Sequence, residues 1–91
     1  MRRKDYISHN SEKQIHSFYG FPAVRLYWNG GKLRTLGWYN KGILHRLNGP
    51  AFITFNIYDE TIKKSYYIFG KKINKEEFDL ESNRIKMLNN L

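Results

Sequence analysis

The side chains best suited to holding a charged partner lie in one short stretch of the chain. Arg25, Tyr27, Lys32 and Arg34 flank the pair Asn29-Gly30. Guanidinium and ammonium groups contact phosphates or carboxylates, and a tyrosine ring between them offers a stacking surface. The alternative is that these long side chains are simply solvated on the outside of a sheet. The residues alone leave both interpretations open.

The charge balance sets the context for these cations. The formal net charge is +8, and no Asp or Glu occurs between Glu12 and Asp59. A second basic run begins at Lys63 and Lys64. A domain of this kind attracts anions, whether nucleic acid, an acidic protein face or anionic lipid headgroups. Its charge would equally serve to keep a small protein in solution.

Residue types argue against catalysis and against metal binding. Cysteine is absent, which excludes disulfides and thiolate zinc sites. His9, His16 and His45 are scattered along predicted strands that lack carboxylates. Residues 13–58 also lack a general acid or base of the carboxylate type, a nucleophile motif and a glycine-rich phosphate loop. We therefore expect no enzyme, no metal and no cofactor.

Location is inferred from hydrophobic runs. The basic start Met-Arg-Arg-Lys is not followed by an apolar run of seven or more, so we expect no secretory signal. No apolar stretch approaches the ~20 residues that span a bilayer. Because a chain without cysteine fits a reducing compartment, we expect a cytoplasmic protein.

The segment that must position the cations reads as a series of hairpins. Residues 14–73 alternate short apolar runs with Gly and Asn, which predicts five or six antiparallel strands. Asn29-Gly30 suits a two-residue type I′ turn. That turn pairs Arg25 with Arg34 and Tyr27 with Lys32, and it places all four on one face. Directly opposed arginines repel each other, and an anionic partner would relieve the repulsion.

Further turns and one helix complete the predicted architecture. Asn40-Lys41-Gly42 suits a three-residue hairpin, and Asp59-Glu60 joins predicted strands over 51–58 and 62–69. Asn74 with Glu77 forms a capping box that starts a helix over about 75–89. Its apolar residues fall on two neighbouring stripes, namely Phe78, Ile85 and Leu88, and Leu80, Met87 and Leu91. The prediction is a single mainly β (α+β) domain, with a loose basic arm (1–12), a hairpin sheet (13–73) and a C-terminal helix (74–91).

An internal repeat accompanies this pattern. Residues 38–51 read Trp-Tyr-Asn-Lys-Gly-Ile-Leu-His-Arg-Leu-Asn-Gly-Pro-Ala. Residues 15–23 are a degenerate earlier copy with Phe21 as one extra residue, and Tyr66-Tyr67 before Gly70 repeats Trp38-Tyr39 before Gly42 at a distance of 28 residues. The motif resembles a variant of the membrane occupation and recognition nexus (MORN) repeat. The resemblance implies consecutive hairpins in an elongated curved sheet, a scaffold role in protein or lipid contacts, and an origin in bacteria, phages or large DNA viruses.

Residues and resemblance together predict a non-enzymatic protein-interaction module, a phage-encoded factor that binds or inhibits a host protein in the host cytoplasm. The alternative is a basic nucleic-acid-binding protein. Arg46 has a second interpretation, in which it covers an aromatic neighbour, and His45 has one in which it packs between hairpins. Pairing of two copies through sheet edges stays open. The candidate contact residues are Arg25, Tyr27, Lys32, Arg34, Tyr39, Arg46, Lys63, Lys64 and Tyr67.

Overall fold

Antiparallel hairpins follow one another along most of the chain, and a helix follows them. The computed structural model describes residues 4–89. Strands β1, β2, β3, β6, β7 and β8 form one sheet in that order, and β4 pairs with β5 separately. This confirms the predicted mainly antiparallel β fold with one C-terminal helix. The elements are β1 (Tyr6–Ile7), β2 (Val24–Tyr27), β3 (Leu33–Gly37), β4 (Tyr39–Asn40), β5 (Ile43–Leu44), β6 (Phe52–Phe55), β7 (Thr61–Ile68), β8 (Lys71–Ile73) and α1 (Lys75–Asn89).

The turn between β2 and β3 differs from the predicted one. The Gly31 amide donates to the Trp28 carbonyl oxygen, and the Trp28 amide donates to the Lys32 carbonyl oxygen, each at 2.8 Å. Gly31 has a φ of 90°, so this is a three-residue loop closed by a left-handed glycine. The prediction of a two-residue turn at Asn29-Gly30 was therefore wrong. Two glycines in succession allow the positive φ to fall one residue later.

The turn between β4 and β5 is instead shorter than the predicted one. Asn40 pairs with Ile43, which leaves only Lys41 and Gly42 between the strands. Their φ angles are 50° and 86°, the type I′ geometry. The predicted three-residue hairpin at this place was wrong. The Lys41 amide donates to the His16 Nδ1 at 3.0 Å.

The register of β2 and β3 follows from the longer loop. Arg25 lies opposite Leu36, and Tyr27 lies opposite Leu33, so the predicted pairing of Arg25 with Arg34 was wrong. The loop adds one residue to the register, and a bulge between Leu26 and Tyr27 adds another. Arg34 is left as the extra residue of that bulge. Bulges aim a side chain away from the regular alternation of a strand.

Two parts of the sheet have the same backbone pairing. Residues 6–25, here called the first unit, pair Tyr6 with Arg25 and Ile7 with Val24. Residues 36–53, the second unit, pair Leu36 with Ile53 and Gly37 with Phe52. The amides of Ser8 and Trp38 donate at 2.8 Å to the carbonyl oxygens of Ala23 and Ala51, respectively. The two units therefore share one backbone frame, on which their side chains differ.

Contacts between consecutive hairpins are also repeated. The Gly42 amide donates to the Ile15 carbonyl oxygen at 2.7 Å, and the Gly70 amide donates to the Leu44 carbonyl oxygen at 2.8 Å. Beside each, a histidine Nδ1 accepts the amide of the preceding turn residue. His16 accepts from Lys41 at 3.0 Å, and His45 accepts from Phe69 at 2.8 Å. The His16 segment is thus docked on the turn between β4 and β5, and the His45 segment is docked on the turn between β7 and β8.

Little of the protein is buried. The chain measures 47 × 32 × 19 Å, and its buried apolar residues are Ala23, Val24, Trp38, Ala51 and Phe78. Helix α1 packs on β7, with the rings of Phe78 and Tyr66 4.7 Å apart. Leu80, Met87 and Leu88 of the predicted apolar stripes remain exposed, and Leu91 lies outside the described residues. A fold with so thin a core depends on backbone hydrogen bonds to keep its strands in line.

The expected loose arm over 1–12 is ordered where the structure describes it. β1 pairs with β2, and the Asp5 carboxylate accepts the Tyr27 amide at 2.9 Å. Asn10 then organises the loop that follows, because its side-chain oxygen accepts the amides of Glu12 and Gln14 at 3.0 Å. The same loop recurs at Asn56, which ends β6 earlier than the predicted strand over 51–58. Residues 1–3 of the predicted arm lie outside the described part.

The cap of helix α1 supplies a stability prediction. The Asn74 side-chain oxygen accepts the Glu77 amide at 2.8 Å, as the capping-box motif predicts. Replacing Asn74→Ala leaves that amide without its acceptor and should cost about 1 kcal/mol in the free energy of unfolding. Urea denaturation measures this loss. Asn83→Ala, an exposed change within the same helix, should cost nothing, since alanine favours helix. Equal losses in both variants would contradict the capping role.

Candidate binding surface

Arg25 lies on β2, between β3 and the short edge strand β1. Its guanidinium carbon is 4.6 Å from the centroid of the Tyr6 ring, the residue directly opposite it. Its Nε is buried and has no hydrogen-bond partner among the described residues. A guanidinium over a ring is oriented and partly stripped of water. The described residues thus orient the Arg25 guanidinium but supply no acceptor for its Nε.

Arg34 is in a similar state on the neighbouring strand. As the extra residue of the bulge, it places its guanidinium carbon 5.5 Å from the centroid of the Trp28 ring. The Trp28 ring is itself held by a hydrogen bond, in which its Nε1 donates to the Phe55 carbonyl oxygen at 3.3 Å. The Arg34 Nε is also buried without a partner in the described part of the chain. We call Tyr6, Arg25, Trp28 and Arg34 the arginine cluster.

The other two members of the predicted patch make contacts of their own. The Lys32 Nζ is 3.7 Å from the Asp59 carboxylate, and both side chains are more than half exposed. Such an exposed ion pair contributes little to stability. Tyr27 is half-buried, and its amide is held by Asp5. The structure therefore distributes Arg25, Tyr27, Lys32 and Arg34 over different contacts rather than one opposed pair.

Lys63 and Lys64 are exposed and adjacent in β7, so they project from opposite faces of the sheet. Lys64 lies opposite Ile53, and Lys63 lies opposite Thr54. Within residues 4–89, neither forms an ion pair. They add positive charge to both faces without marking a defined site.

Arg46 belongs to the interior of the second unit. Its guanidinium carbon lies 3.7 Å from the centroid of the Trp38 ring, and its Nη1 donates to the Pro50 carbonyl oxygen at 3.1 Å. Burial lowers the pKa of Arg46 from its ordinary value. The interpretation in which Arg46 covers an aromatic neighbour is confirmed. Its arrangement is one of packing, and it leaves little of the guanidinium for a partner.

Tyr39 and Tyr67 are also half-buried. A Cβ at Gly37 would come within 2.9 Å of the Tyr39 ring, so the ring lies directly on the glycine backbone. Burial raises the pKa of Tyr39, and Tyr67 raises it further. The Tyr39 and Tyr67 carbonyl oxygens accept the amides of Ser17 and Arg46. Both tyrosines thus help to join consecutive hairpins.

A cavity beside Arg25 is the part of this surface that the sequence analysis missed. It has a volume of about 310 Å³ and is lined by Tyr6, Ser8, Phe18, Tyr19, Phe21, Pro22 and Arg25. Tyr19 is 96% exposed at a turn where its φ is 56°, and Phe21 is 64% exposed. The available signal was the three aromatic residues around Gly20, where the second copy has only Leu47 and Asn48 before Gly49.

Two general properties of the described residues complete the description. Within residues 4–89, no three His, Cys, Asp or Glu side chains are grouped as a metal would require. The one described helix is too short or too polar to cross a membrane. Comparisons with protein families, curated proteins and solved structures found no match for this chain. The resemblance to MORN repeats therefore stays a prediction.

His45 supplies a pH prediction. Its ring stacks on Phe69, with centroids 4.0 Å apart, and burial lowers its pKa below the ordinary 6.5. As the pH falls, the unfolded chain therefore takes up this proton before the folded protein does. The stability that neutral His45 provides is complete above 6.5 and is lost as the pH falls through the lowered pKa. Urea unfolding on both sides of that range measures the loss.

The matched variant is His45→Asn. An asparagine oxygen can accept the Phe69 amide without titrating, so the stability of this variant should fall less steeply with decreasing pH. Identical pH dependence in the two proteins would show that the His45 ring does not act as this acceptor.

Proposed function

We propose that this protein is a non-enzymatic interaction module that binds an acidic surface of another protein. The observation that carries the proposal is the arginine cluster. Arg25 and Arg34 each rest on an aromatic ring, and the Nε of each is buried with no partner in the described part of the chain. Neither forms an ion pair within residues 4–89.

The physical argument concerns orientation and desolvation. The buried Nε lies out of a partner's reach, so a partner carboxylate would bond to the terminal nitrogens of each guanidinium. The flat guanidinium matches a carboxylate with two parallel hydrogen bonds, and the ring beneath it limits the conformations lost in the complex. Arginine, tyrosine and tryptophan are also the residues that contribute most at protein interfaces. The cluster combines all three.

The carboxylates of the described chain support a non-enzymatic role. Asp5 accepts the Tyr27 amide, and Asp59 lies near Lys32. On the helix, Asp79 pairs with Lys75 at 3.0 Å and Glu81 pairs with Arg84 at 2.8 Å. Each of these groups has a structural partner on the surface. A general acid or base would instead stand in a cleft.

The setting that fits the proposal is a phage-encoded factor that binds or inhibits a host protein. The net charge of +8 complements an acidic partner and would accelerate association. The repeat resemblance supports a scaffold role, and the proposed location is the host cytoplasm. These details rest on composition and on the resemblance.

Nucleic-acid binding is the second candidate, favoured by exposed lysines on both faces of the sheet. Lys63, Lys64, Lys71 and Lys72 are all exposed and form no ion pair within residues 4–89. Phosphate binding through them would weaken steeply with salt, since each neutralised phosphate releases counterions. Binding through the arginine cluster depends less on salt, because its guanidinium groups are half-buried.

Two double variants of equal charge test the proposal. Arg25→Gln/Arg34→Gln removes two cations from the cluster, and Lys63→Gln/Lys64→Gln removes two from the open sheet. The tagged proteins are used to capture partners from a nuclease-treated lysate of the cells in which the gene is expressed. We expect wild type and the lysine variant to retain the same protein, and the arginine variant to lose at least about tenfold in affinity, or ~1.4 kcal/mol.

Circular dichroism of each variant provides the control for folding. Equal losses in both double variants would mean that net charge, rather than the cluster, drives binding. Recovery of nucleic acid from an untreated lysate, lost in the lysine variant alone, would favour the second candidate and count against the first.

A further inference from the structure

The cavity beside Arg25 has a counterpart elsewhere in the protein that shows what fits it. We propose that this cavity receives an aromatic side chain of the partner, with tryptophan as the best fit, from a segment that carries carboxylates on either side. The inference rests on the proposed function and adds to it the place and the chemistry of the main contact.

Backbone contacts establish which residues of the two units correspond. The amides of Ser8 and Trp38 make equivalent bonds to Ala23 and Ala51, and the carbonyl oxygens of Ser8 and Trp38 both accept a histidine amide at 3.0 Å. Ser8 of the first unit therefore occupies the position of Trp38 in the second.

The same comparison pairs Ser17 with Arg46. Each follows a histidine, and each amide donates to a tyrosine carbonyl oxygen of the next hairpin, Ser17 to Tyr39 at 2.8 Å and Arg46 to Tyr67 at 3.2 Å. In the second unit the Arg46 guanidinium stacks on the Trp38 ring and donates to the Pro50 carbonyl oxygen, and the Trp38 Nε1 donates to the Gly20 carbonyl oxygen of the first unit at 3.0 Å. In the first unit both positions are serine, and a cavity of about 310 Å³ lies beside Ser8 and Pro22.

The walls of the cavity are aromatic and face solvent. Phe18 and Phe21 flank the Tyr19-Gly20 turn, and Phe21 is the extra residue that the second unit lacks. Tyr19 holds a left-handed backbone conformation that bulky residues avoid, while 96% of its surface is exposed. Its ring contributes almost no burial to its own fold. These rings face solvent in the isolated chain, and contact with a partner would bury them.

The positive charge beside the cavity indicates which residues should flank the incoming aromatic ring. Arg25 stands where the second unit has Ile53, as the pairs Tyr6 with Arg25 and Leu36 with Ile53 show. No carboxylate lines the cavity, and the Arg25 Nε has no partner within residues 4–89. The aromatic side chain should therefore come from an acidic segment. The volume lies at the lower end of the ~300–1,000 Å³ range of ligand pockets, which suits one side chain.

The probe is a synthetic peptide, acetyl-Glu-Asp-Trp-Asp-Glu-amide, titrated into the ¹⁵N-labelled full chain and followed by NMR. We expect amide shifts centred on Ser8, Phe18, Tyr19 and Gly20. A peptide with alanine in place of tryptophan should bind at least about tenfold more weakly. A peptide with lysine in place of all four acids should not bind.

Three variants test whether the peptide binds in this cavity. Ser8→Trp supplies the missing indole from within the chain and should reduce binding of the tryptophan peptide about tenfold without changing the net charge. Ser11→Trp adds the same ring to an exposed loop outside the cavity and should bind like wild type. Phe21→Ala removes an exposed wall and should also weaken binding, which keeps the test available if Ser8→Trp does not fold.

Each failure has a distinct meaning. Equal binding of the tryptophan and alanine peptides, or shifts centred elsewhere, would overturn the aromatic site. Binding of both peptides that is lost in Arg25→Gln would still leave the acidic-surface function in place. Absence of peptide binding overturns the site, and the capture experiment with the arginine double variant then decides the proposed function separately. Equal binding of the lysine-substituted peptide would refute the acidic character of the partner.

Discussion

The docking of the His16 and His45 segments onto two turns later in the chain is the contact on which the rest of this structure depends. The sheet is thin, and no large side chain in its described part is completely buried. Main-chain bonds from Gly42 to Ile15 and from Gly70 to Leu44 therefore hold the hairpins in line. In each of these two turns, the glycine amide donates to a carbonyl oxygen outside its own hairpin. The amide of the residue before that glycine donates to the Nδ1 of the neighbouring histidine.

Because these contacts use backbone atoms and a histidine, the remaining side chains of each unit are free to differ. The second unit fills its interior with Trp38 and Arg46, whereas the first unit has Ser8 and Ser17 in their places. The same frame thus gives one closed unit and one open unit. The open unit lies beside Arg25 and carries exposed aromatic residues, and it is the unit to which we assign the proposed contact with a partner.

Electrostatics follows the same division. Arg46 is half-buried on an indole and donates to a carbonyl oxygen, so its guanidinium has a partner within the protein. Arg25 and Arg34 also lie on rings, but they lack an acceptor among the described residues. Three arginines that look alike in the sequence therefore differ in what they can offer to a partner. The difference depends on whether a carbonyl oxygen lies within reach of the guanidinium.

Local features were the most predictable part. The helix over 75–89 and its Asn74 cap were recognised because capping depends on residues only three apart. The turns at Gly31 and Lys41 were located correctly, but their types were exchanged, because adjacent glycines and the docking of a turn on His16 alter which residue takes a positive φ. One altered loop then moved every pairing between β2 and β3. The predicted face of four cations depended on that register.

The sequence by itself determined that this chain forms hairpins of period two, punctuated by glycine and followed by one capped helix, since these properties arise from neighbours along the chain. Only the tertiary structure decided that Arg25 rests on Tyr6, that Arg46 is enclosed, and that a cavity lies beside Ser8. Those outcomes join residues up to some 20 positions apart, and they depend on register and on which side chain is missing from an otherwise equivalent frame. A short sequence pattern does not reveal that a side chain is missing at one position. The absence becomes visible only when the backbones of the two units are compared in space.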